Sequence, residues 1–157
     1  MELVVFIGLQ GSGKSSFFRQ RFASSHVLVS KDLWPSTRDK EARQRRVVAA
    51  ALAAGSSVVV DNTHPEVEAR APLIALGREH GARVVGYFFS SRLEECLARN
   101  ARRTGRARVP DVALYATLKR LRRPSLSEGF DSLYFVRLAA EGDFVVEAWR
   151  EDADAGP

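Results

Sequence analysis

The chain has 157 residues, of which 45% are hydrophobic and 27% charged, with a formal net charge of +5. This length suits one compact domain with a single core, and no apolar run is long enough to span a bilayer. The one cysteine, Cys96, excludes an internal disulfide and is typical of a reducing compartment, so we expect a cytoplasmic protein.

The first predicted element is a buried strand over the apolar residues 3–7. It leads into Gly8-Leu9-Gln10-Gly11-Ser12-Gly13-Lys14-Ser15, which fits the phosphate-loop pattern G-x-x-x-x-G-K-[ST] without a mismatch. Residues 16–22 continue as a helix, which gives the loop its required strand–loop–helix setting. A chance glycine-rich turn is the alternative, but the two flanking elements favour a site for a nucleoside triphosphate.

The residue types of this loop indicate how it would hold ATP and Mg²⁺. The glycines allow successive backbone N–H groups to point inward as an anion nest at a helix N-terminus. Lys14 is expected on the β- and γ-phosphates, and the Ser15 hydroxyl is a candidate Mg²⁺ ligand. The ATP-binding residues assigned here are Gly8, Gly11, Ser12, Gly13, Lys14, Ser15 and Ser16.

Strand and helix signals alternate along the rest of the chain. Further strands are predicted at 26–29, 57–60, 83–89 and 133–136, with an added edge strand at 144–146. Helices are predicted from Ser36 to Gly55, from Pro65 to Gly81, from Ser91 to about Ala101, and from Pro110 onward. Ser36 with Asp39, and Ser91 with Glu94, match capping boxes, and Leu114, Tyr115, Leu118 and Leu121 form the predicted apolar face of the last helix.

This alternation of helices with fully apolar strands predicts an α/β fold with a parallel sheet, and the phosphate loop after the first strand favours the P-loop kinase type. We expect a five-stranded parallel sheet flanked by helices, with an arginine-rich lid at about 102–110 and a C-terminal edge strand. The domain is predicted to cover residues 1–150, and residues 151–157 to form a disordered acidic tail. In such a sheet, ligands bind beyond the carboxyl ends of the strands, where Gly8, Ser30 and Asp61 fall.

Two aspartates at this predicted rim are candidates for chemistry. Asp32 follows the second strand, where a carboxylate can accept a proton from an incoming hydroxyl and orient it towards the γ-phosphorus. A turn or helix-capping aspartate fits the same position equally well. Asp61 ends an apolar strand, so we favour a role in holding Mg²⁺ over a simple turn. His64, three residues on, is interpreted as a loop residue.

Positive charge is concentrated between Arg99 and Arg123, where nine basic residues face Asp111 alone. Localised positive charge beside a nucleotide site predicts a polyanionic partner or a phosphate clamp. Only four of the 24 basic residues are lysines, so an arginine bias of the genome is an alternative explanation. Gly105 and the surrounding arginines suggest a mobile lid that brings a guanidinium onto the transferring phosphoryl group. The other interpretation is a solvated basic helix end.

Five segments in this order resemble the kinase domain of polynucleotide 5′-hydroxyl kinases, both the phage type and the kinase half of animal polynucleotide kinase/phosphatase. They are residues 8–15, Ser30-Lys31-Asp32, Val58-Val59-Val60-Asp61-Asn62-Thr63-His64, Arg99-Asn100 followed by Arg103, and Pro124-Ser125-Leu126-Ser127-Glu128-Gly129-Phe130. The resemblance covers about residues 3–137. It implies ATP and Mg²⁺ as cofactors, a 5′-OH end of DNA or RNA as acceptor, no membrane, and a repair ligase or phosphatase as a candidate partner.

The resemblance also implies roles for individual residues. Asp32 would be the general base on the 5′-hydroxyl, Arg103 the lid arginine on the donor phosphates, and Asp61 a further essential residue of the rim. Arg99 is assigned to the donor, and Asp32, Arg38, Asn62 and Thr63 to the acceptor. The arginine that the phage type carries one helical turn after its base would fall on Pro35, so Arg38 is the predicted substitute. His64 replaces the second asparagine of the family pattern.

We therefore predict an ATP-dependent polynucleotide 5′-hydroxyl kinase. One alternative is a P-loop kinase for a small-molecule hydroxyl, such as a sugar, an antibiotic or a nucleoside, which would not need the basic segment. Another is an ATP-binding accessory protein that transfers nothing. The sequence has no Asn-Lys-x-Asp motif, which argues against a GTPase.

Overall fold

The computed structural model describes residues 1–139 and 142–151. Its strands are β1 (Glu2–Ile7), β2 (Val27–Val29), β3 (Val58–Asp61), β4 (Arg83–Phe89), β5 (Ser132–Leu138) and β6 (Phe144–Ala148). Its α-helices are α1 (Lys14–Arg21), α2 (Lys40–Ala53), α3 (Val67–Glu79), α4 (Leu93–Ala101) and α5 (Asp111–Arg120). Short 3₁₀ turns occupy Lys31–Leu33, Gly105–Ala107 and Leu126–Glu128.

The strands form one six-stranded sheet in the order β2-β3-β1-β4-β5-β6. The first five strands are parallel, and β6 runs antiparallel along the edge of β5. This confirms the predicted α/β fold with a C-terminal edge strand. Because β1 lies between β3 and β4, the residues that follow β1 and β3 meet at one edge of the sheet.

Alternate residues of the central strand β1 pack into two apolar layers. Leu3, Val5 and Ile7 face one layer together with α2 and α3, and Val4 and Phe6 face the other with α1. Residues 3–7 are all 0% exposed, as expected for a strand covered on both faces. The aromatic rings on the α1 side meet edge to face, which anchors α1, and with it the loop that precedes this helix.

The predicted start of the second helix at Ser36 is wrong. Helix α2 begins at Lys40 and is capped by Asp39, whose side chain accepts a hydrogen bond from the Ala42 amide over 3.0 Å. Residues 34–37 instead close a turn through the Thr37 amide and the Trp34 carbonyl. Both Ser36 and Asp39 are good capping residues, so the local pattern alone did not distinguish them.

The predicted capping box of Ser91 and Glu94 is also wrong. Ser91 is buried, and its hydroxyl donates to the Phe89 carbonyl and accepts from the Leu9 amide over 3.0 Å. Its side chain therefore fastens the phosphate loop to the end of β4, and Arg92 occupies the capping position of α4.

Tyr115 does not belong to the apolar face predicted for α5. It is 53% exposed, whereas the adjacent Leu114 is fully buried. One helical residue step turns a side chain by about 100°, which carries Tyr115 away from the core. Of the predicted acidic tail, only Glu151 is described, and residues 152–157 lie outside the described residues. Within the described residues, no helix combines the length and apolar character needed to cross a membrane.

Candidate active site

The loop between β1 and α1 requires glycine at two positions. Gly11 has φ 81° and Gly13 has φ 98°, in the left-handed region that other residues rarely adopt. A Cβ atom on Gly11 would also lie 2.7 Å from the carbonyl oxygen of Cys96 in α4. The loop is thus held in its anion-nest shape by its own glycines and by close packing on α4.

Lys14 is buried at the centre of this loop. Its Nζ donates to the carbonyl oxygens of Gly8 and Leu9, over 3.0 and 2.7 Å. Burial lowers the pKa of Lys14 to about 8, although the nearby Asp61 carboxylate opposes this shift. The buried hydroxyl oxygen of Ser12 has no hydrogen-bond partner among the described residues. A buried cation beside a loop of backbone amides at a helix N-terminus fits the phosphates of a nucleotide.

Ser15 and Asp61 form a hydroxyl–carboxylate pair beside Lys14. The Ser15 hydroxyl donates to Asp61 Oδ2 over 3.0 Å, at the carboxyl end of β3. Burial raises the pKa of Asp61, while the Lys14 ammonium and the Ser15 hydrogen bond act in the opposite direction. Oxygen ligands of these two types fit Mg²⁺, which takes its remaining ligands from phosphates and water. Among the described residues no group of three or more His, Cys, Asp or Glu side chains could hold a metal ion.

A cleft of about 1050 Å³ opens in front of the phosphate loop. The predicted site residues that line it are Gly11, Gly13, Lys14, Ser15, Ser16, Asp32, Asp61, Asn62, Thr63 and Arg103. Gly8, Ser12, Arg38 and Arg99 are not among its lining residues. Asp32, which the sequence placed only by its position after a strand, therefore shares one cleft with the phosphate loop.

Asn62 positions the turn that carries Asp32. Its side-chain oxygen accepts from the Lys31 amide over 3.1 Å, and its side-chain nitrogen donates to Gln44 Oε1 over 2.7 Å. The Asp32 amide in turn donates to the Ser30 hydroxyl over 3.3 Å. Both polar atoms of the Asn62 side chain thus bond within the protein, whereas the Asp32 side chain is exposed to the cleft.

The two lid arginines assigned from the sequence have different surroundings. Arg99 donates to the Gly11 carbonyl over 2.8 Å, so it braces the phosphate loop from behind. Arg103 is half-buried and lines the cleft together with Arg106. The side chain of Asn100 exchanges two hydrogen bonds with the Val109 backbone, over 2.7 and 3.1 Å. These bonds tie the end of α4 to the end of the arginine-rich segment.

Arg70 in α3 is 0% exposed and was not among the residues that the sequence indicated. Its guanidinium donates to both carboxylate oxygens of Glu128 and to the carbonyl oxygens of His64 and Arg122. It therefore connects the loop after β3 with the segment 124–130 noted in the sequence. Glu128 lies 58 residues away, so no local spacing could reveal this pair.

His64 lies in the predicted loop but is buried, with φ 44°. Its Nδ1 donates to the Phe6 carbonyl over 2.7 Å, because a carbonyl oxygen can only accept. Burial lowers the pKa of His64 to about 4, so the imidazole is neutral at physiological pH. This hydrogen bond adds a side-chain link between the loop after β3 and the last residues of β1.

The comparison with protein families is consistent with this site. A family model described as an AAA domain matches residues 3–124. Among curated proteins, the bifunctional polynucleotide phosphatase/kinase of Schizosaccharomyces pombe is 25% identical in an alignment of 136 residues, and the match covers 84% of this chain. The chain spans about a third of the length of that relative, 32%.

Solved structures with a similar fold include two proteins of comparable size. A gluconokinase from Sinorhizobium meliloti is 22% identical, with a TM-score of 0.64 over 88% of this chain and 83% of that chain. Chaetomium thermophilum Kti12, solved in complex with ADP-AlF3, is 19% identical, with a TM-score of 0.63 over 90% of each chain. At these identities the likeness shows the fold alone.

Proposed function

We propose that this protein is a polynucleotide 5′-hydroxyl kinase. The chain belongs to the family described as an AAA domain and has the fold of a P-loop kinase. It would move the γ-phosphoryl group of ATP to a 5′-OH end of DNA or RNA. The observation that carries the proposal is the single cleft that contains both the phosphate loop and Asp32. The 25% identity to a polynucleotide phosphatase/kinase supports the choice of acceptor.

The phosphate loop supplies the donor side of this proposal. On ATP binding, the Lys14 ammonium would release the carbonyl oxygens of Gly8 and Leu9 and donate its hydrogen bonds to oxygens of the β- and γ-phosphates. Ser15 and Asp61 would hold Mg²⁺, in place of their mutual hydrogen bond. When bound, Mg²⁺ supplies positive charge to the phosphates. Kti12, a protein of similar fold, was solved in complex with ADP-AlF3, which supports a nucleotide as the donor.

Asp32 supplies the acceptor side. Its carboxylate would accept the hydrogen bond of the 5′-hydroxyl and aim the oxygen at the γ-phosphorus. The loose transition state of phosphoryl transfer needs the proton removed only late, so a weakly basic carboxylate can first orient the hydroxyl and then accept its proton. Arg103, which lines the same cleft, would stabilise negative charge on the transferring group. Asn62 would act as a positioning residue through the Lys31 amide.

The test is transfer from ATP labelled on its γ-phosphate to an oligonucleotide that carries a 5′-hydroxyl. The matched control is the same oligonucleotide already phosphorylated at that end. We expect label on the first oligonucleotide and none on the second. Labelling of neither, with transfer instead to a sugar or a nucleoside, would favour the small-molecule kinase. ATP binding without transfer to any hydroxyl would favour the accessory protein.

A further inference from the structure

The arginine-rich segment between α4 and α5 is a loop that one buried side chain closes at its base. Asn100, the penultimate residue of α4, is 0% exposed. Its Nδ2 donates to the Val109 carbonyl over 2.7 Å, and its Oδ1 accepts from the Val109 amide over 3.1 Å. Residues 101–108 therefore begin and end at a single hydrogen-bonded point, which uses both polar atoms of a buried side chain.

This closure is packed against the phosphate loop. Val109 contacts the apolar cluster in which Leu9 of the phosphate loop is buried between α4 and α5. Directly before Asn100, the Arg99 guanidinium donates to the Gly11 carbonyl over 2.8 Å. The base of the arginine-rich loop is thus fixed relative to the phosphate loop on both of its sides.

Two arginines of the loop line the cleft, namely Arg103 and Arg106, whereas Arg102 and Arg108 do not. The Arg103 guanidinium donates to the Ala107 carbonyl of its own loop over 3.4 Å, which is a long and weak hydrogen bond. Among the described residues, no carboxylate forms an ion pair with Arg103 or Arg106. Their charges are therefore available to an anion in the cleft.

The closure also has a thermodynamic consequence for anion binding. When arginines of a free segment meet a phosphate, the backbone of that segment loses conformational entropy, residue by residue. A loop whose two ends are already joined has lost part of this entropy before any ligand arrives. Closing the loop at Asn100 should therefore strengthen the contacts of its arginines without adding a contact of its own.

From these observations we infer that Asn100 is a positioning residue, which holds Arg103 and Arg106 within reach of the donor phosphates by closing the loop that carries them. Asn100 touches no nucleotide and acts only through the two arginines. The inference rests on the donor side of the proposed function, and it does not depend on which acceptor the enzyme uses.

The test is a comparison of AMP-PNP affinity in three backgrounds, measured by calorimetry. In the otherwise wild-type protein, Asn100→Ala should weaken AMP-PNP binding about tenfold, because charge-assisted contacts are lost. In the background Arg103→Ala/Arg106→Ala, the same substitution should change the affinity less than about twofold, since the groups it positions are absent. The matched background is Arg102→Ala/Arg108→Ala, which removes the same charge from the same loop and should leave the tenfold effect intact.

Equal losses in all three backgrounds would mean that Asn100 supports the fold alone, and they would overturn the inference. Unchanged AMP-PNP affinity in Asn100→Ala, or no binding of AMP-PNP to the wild-type protein, would overturn it as well. If the affinities follow the expected pattern but no 5′-OH oligonucleotide is labelled, the positioning role stands and the polynucleotide acceptor is wrong.

Amide hydrogen exchange of the wild-type protein, measured by NMR, decides the matter if Asn100→Ala does not fold. The Val109 amide should exchange at least about tenfold more slowly than the amides of Thr104 and Gly105 in the loop. Addition of AMP-PNP should slow exchange at Thr104 and Gly105, because its phosphates order the loop. Equal exchange at the three amides, or no change on addition of AMP-PNP, would contradict the inference.

Discussion

Arg70 and Glu128 form a bidentate ion pair inside the protein, with Nε–Oε1 and Nη2–Oε2 distances of 2.9 and 3.2 Å. Their side chains are 0% and 7% exposed. The remaining guanidinium nitrogen donates to the His64 and Arg122 carbonyls. The pair therefore joins α3, the end of α5 and the turn at 125–128 to the loop that follows β3.

Removing one partner of this pair should be strongly destabilising. Arg70→Met leaves the Glu128 carboxylate buried without a counter-charge, which costs about 3–5 kcal/mol in comparable buried pairs. The double variant Arg70→Met/Glu128→Leu should recover much of this loss, because it removes both charges. Denaturant unfolding of the three proteins measures both effects. A loss below about 1 kcal/mol in the single variant would contradict the role assigned to the pair.

Gly11→Ala is expected to damage the donor site, and Gly55→Ala provides a matched control. The two glycines have nearly equal φ angles, 81° and 82°, but only a Cβ on Gly11 meets a backbone atom within 3 Å. Both variants should lose about 1–2 kcal/mol of stability from the left-handed backbone. Transfer activity should fall about a hundredfold in Gly11→Ala alone, because its clash displaces the phosphate loop. Equal activity in the two variants would argue against this account of the loop.

Asn62→Ala should impair transfer without impairing donor binding. The substitution removes the acceptor for the Lys31 amide and the donor to Gln44, which releases the turn that carries Asp32. We expect kcat to fall roughly ten- to a hundredfold, as for small displacements of reacting groups. The dissociation constant for AMP-PNP, measured by calorimetry, should stay within about twofold, since Lys14 and Ser15 are untouched. A loss confined to AMP-PNP affinity would show that Asn62 serves the donor instead.

Because His64 is buried in its neutral form, the free energy of unfolding should decrease in mild acid. Its pKa is lowered from 6.5 to about 4 in the folded protein, so between these values the unfolded state binds more protons. The contribution of the neutral His64 side chain to the free energy of unfolding is complete above about pH 6.5. As the pH falls towards 4, the free energy of unfolding decreases by up to about 3 kcal/mol. In His64→Asn, whose side chain tolerates a positive φ, this part of the pH dependence should vanish. Denaturant unfolding at pH 7, 5.5 and 4.5 would reveal it, and identical pH profiles for the two proteins would refute the assignment.

The sequence predicted the features of the fold and the site that depend on contiguous residues. The phosphate loop, the buried strand β1 and the edge strand β6 follow from contiguous patterns, and β4 has the predicted bounds of residues 83–89. Asp32 was located because it follows a strand and Asp61 because it ends one, and parallel strands bring their carboxyl ends together.

Long-range partners could not be predicted in this way. Arg70 has no local signal, because an arginine on a helix is normally exposed and its carboxylate partner lies 58 residues away. Ser91 matched a capping box, but its hydroxyl is occupied by the Leu9 amide, 82 residues away. Likewise, the cap of α2 is Asp39, three residues after the predicted cap Ser36, and the cleft is lined by Lys40 and not by Arg38.

The most direct test of the proposed mechanism compares two measurements on Asp32→Asn, a substitution that keeps the shape of the side chain but removes its charge. We expect single-turnover transfer from ATP to a 5′-OH oligonucleotide to fall by about 10²–10⁴-fold, the range for loss of a general base. The affinity for AMP-PNP should remain close to that of the wild-type protein, because no hydrogen bond among the described residues joins Asp32 to the phosphate loop. Near-normal transfer by Asp32→Asn would contradict the claim that this carboxylate orients the acceptor hydroxyl.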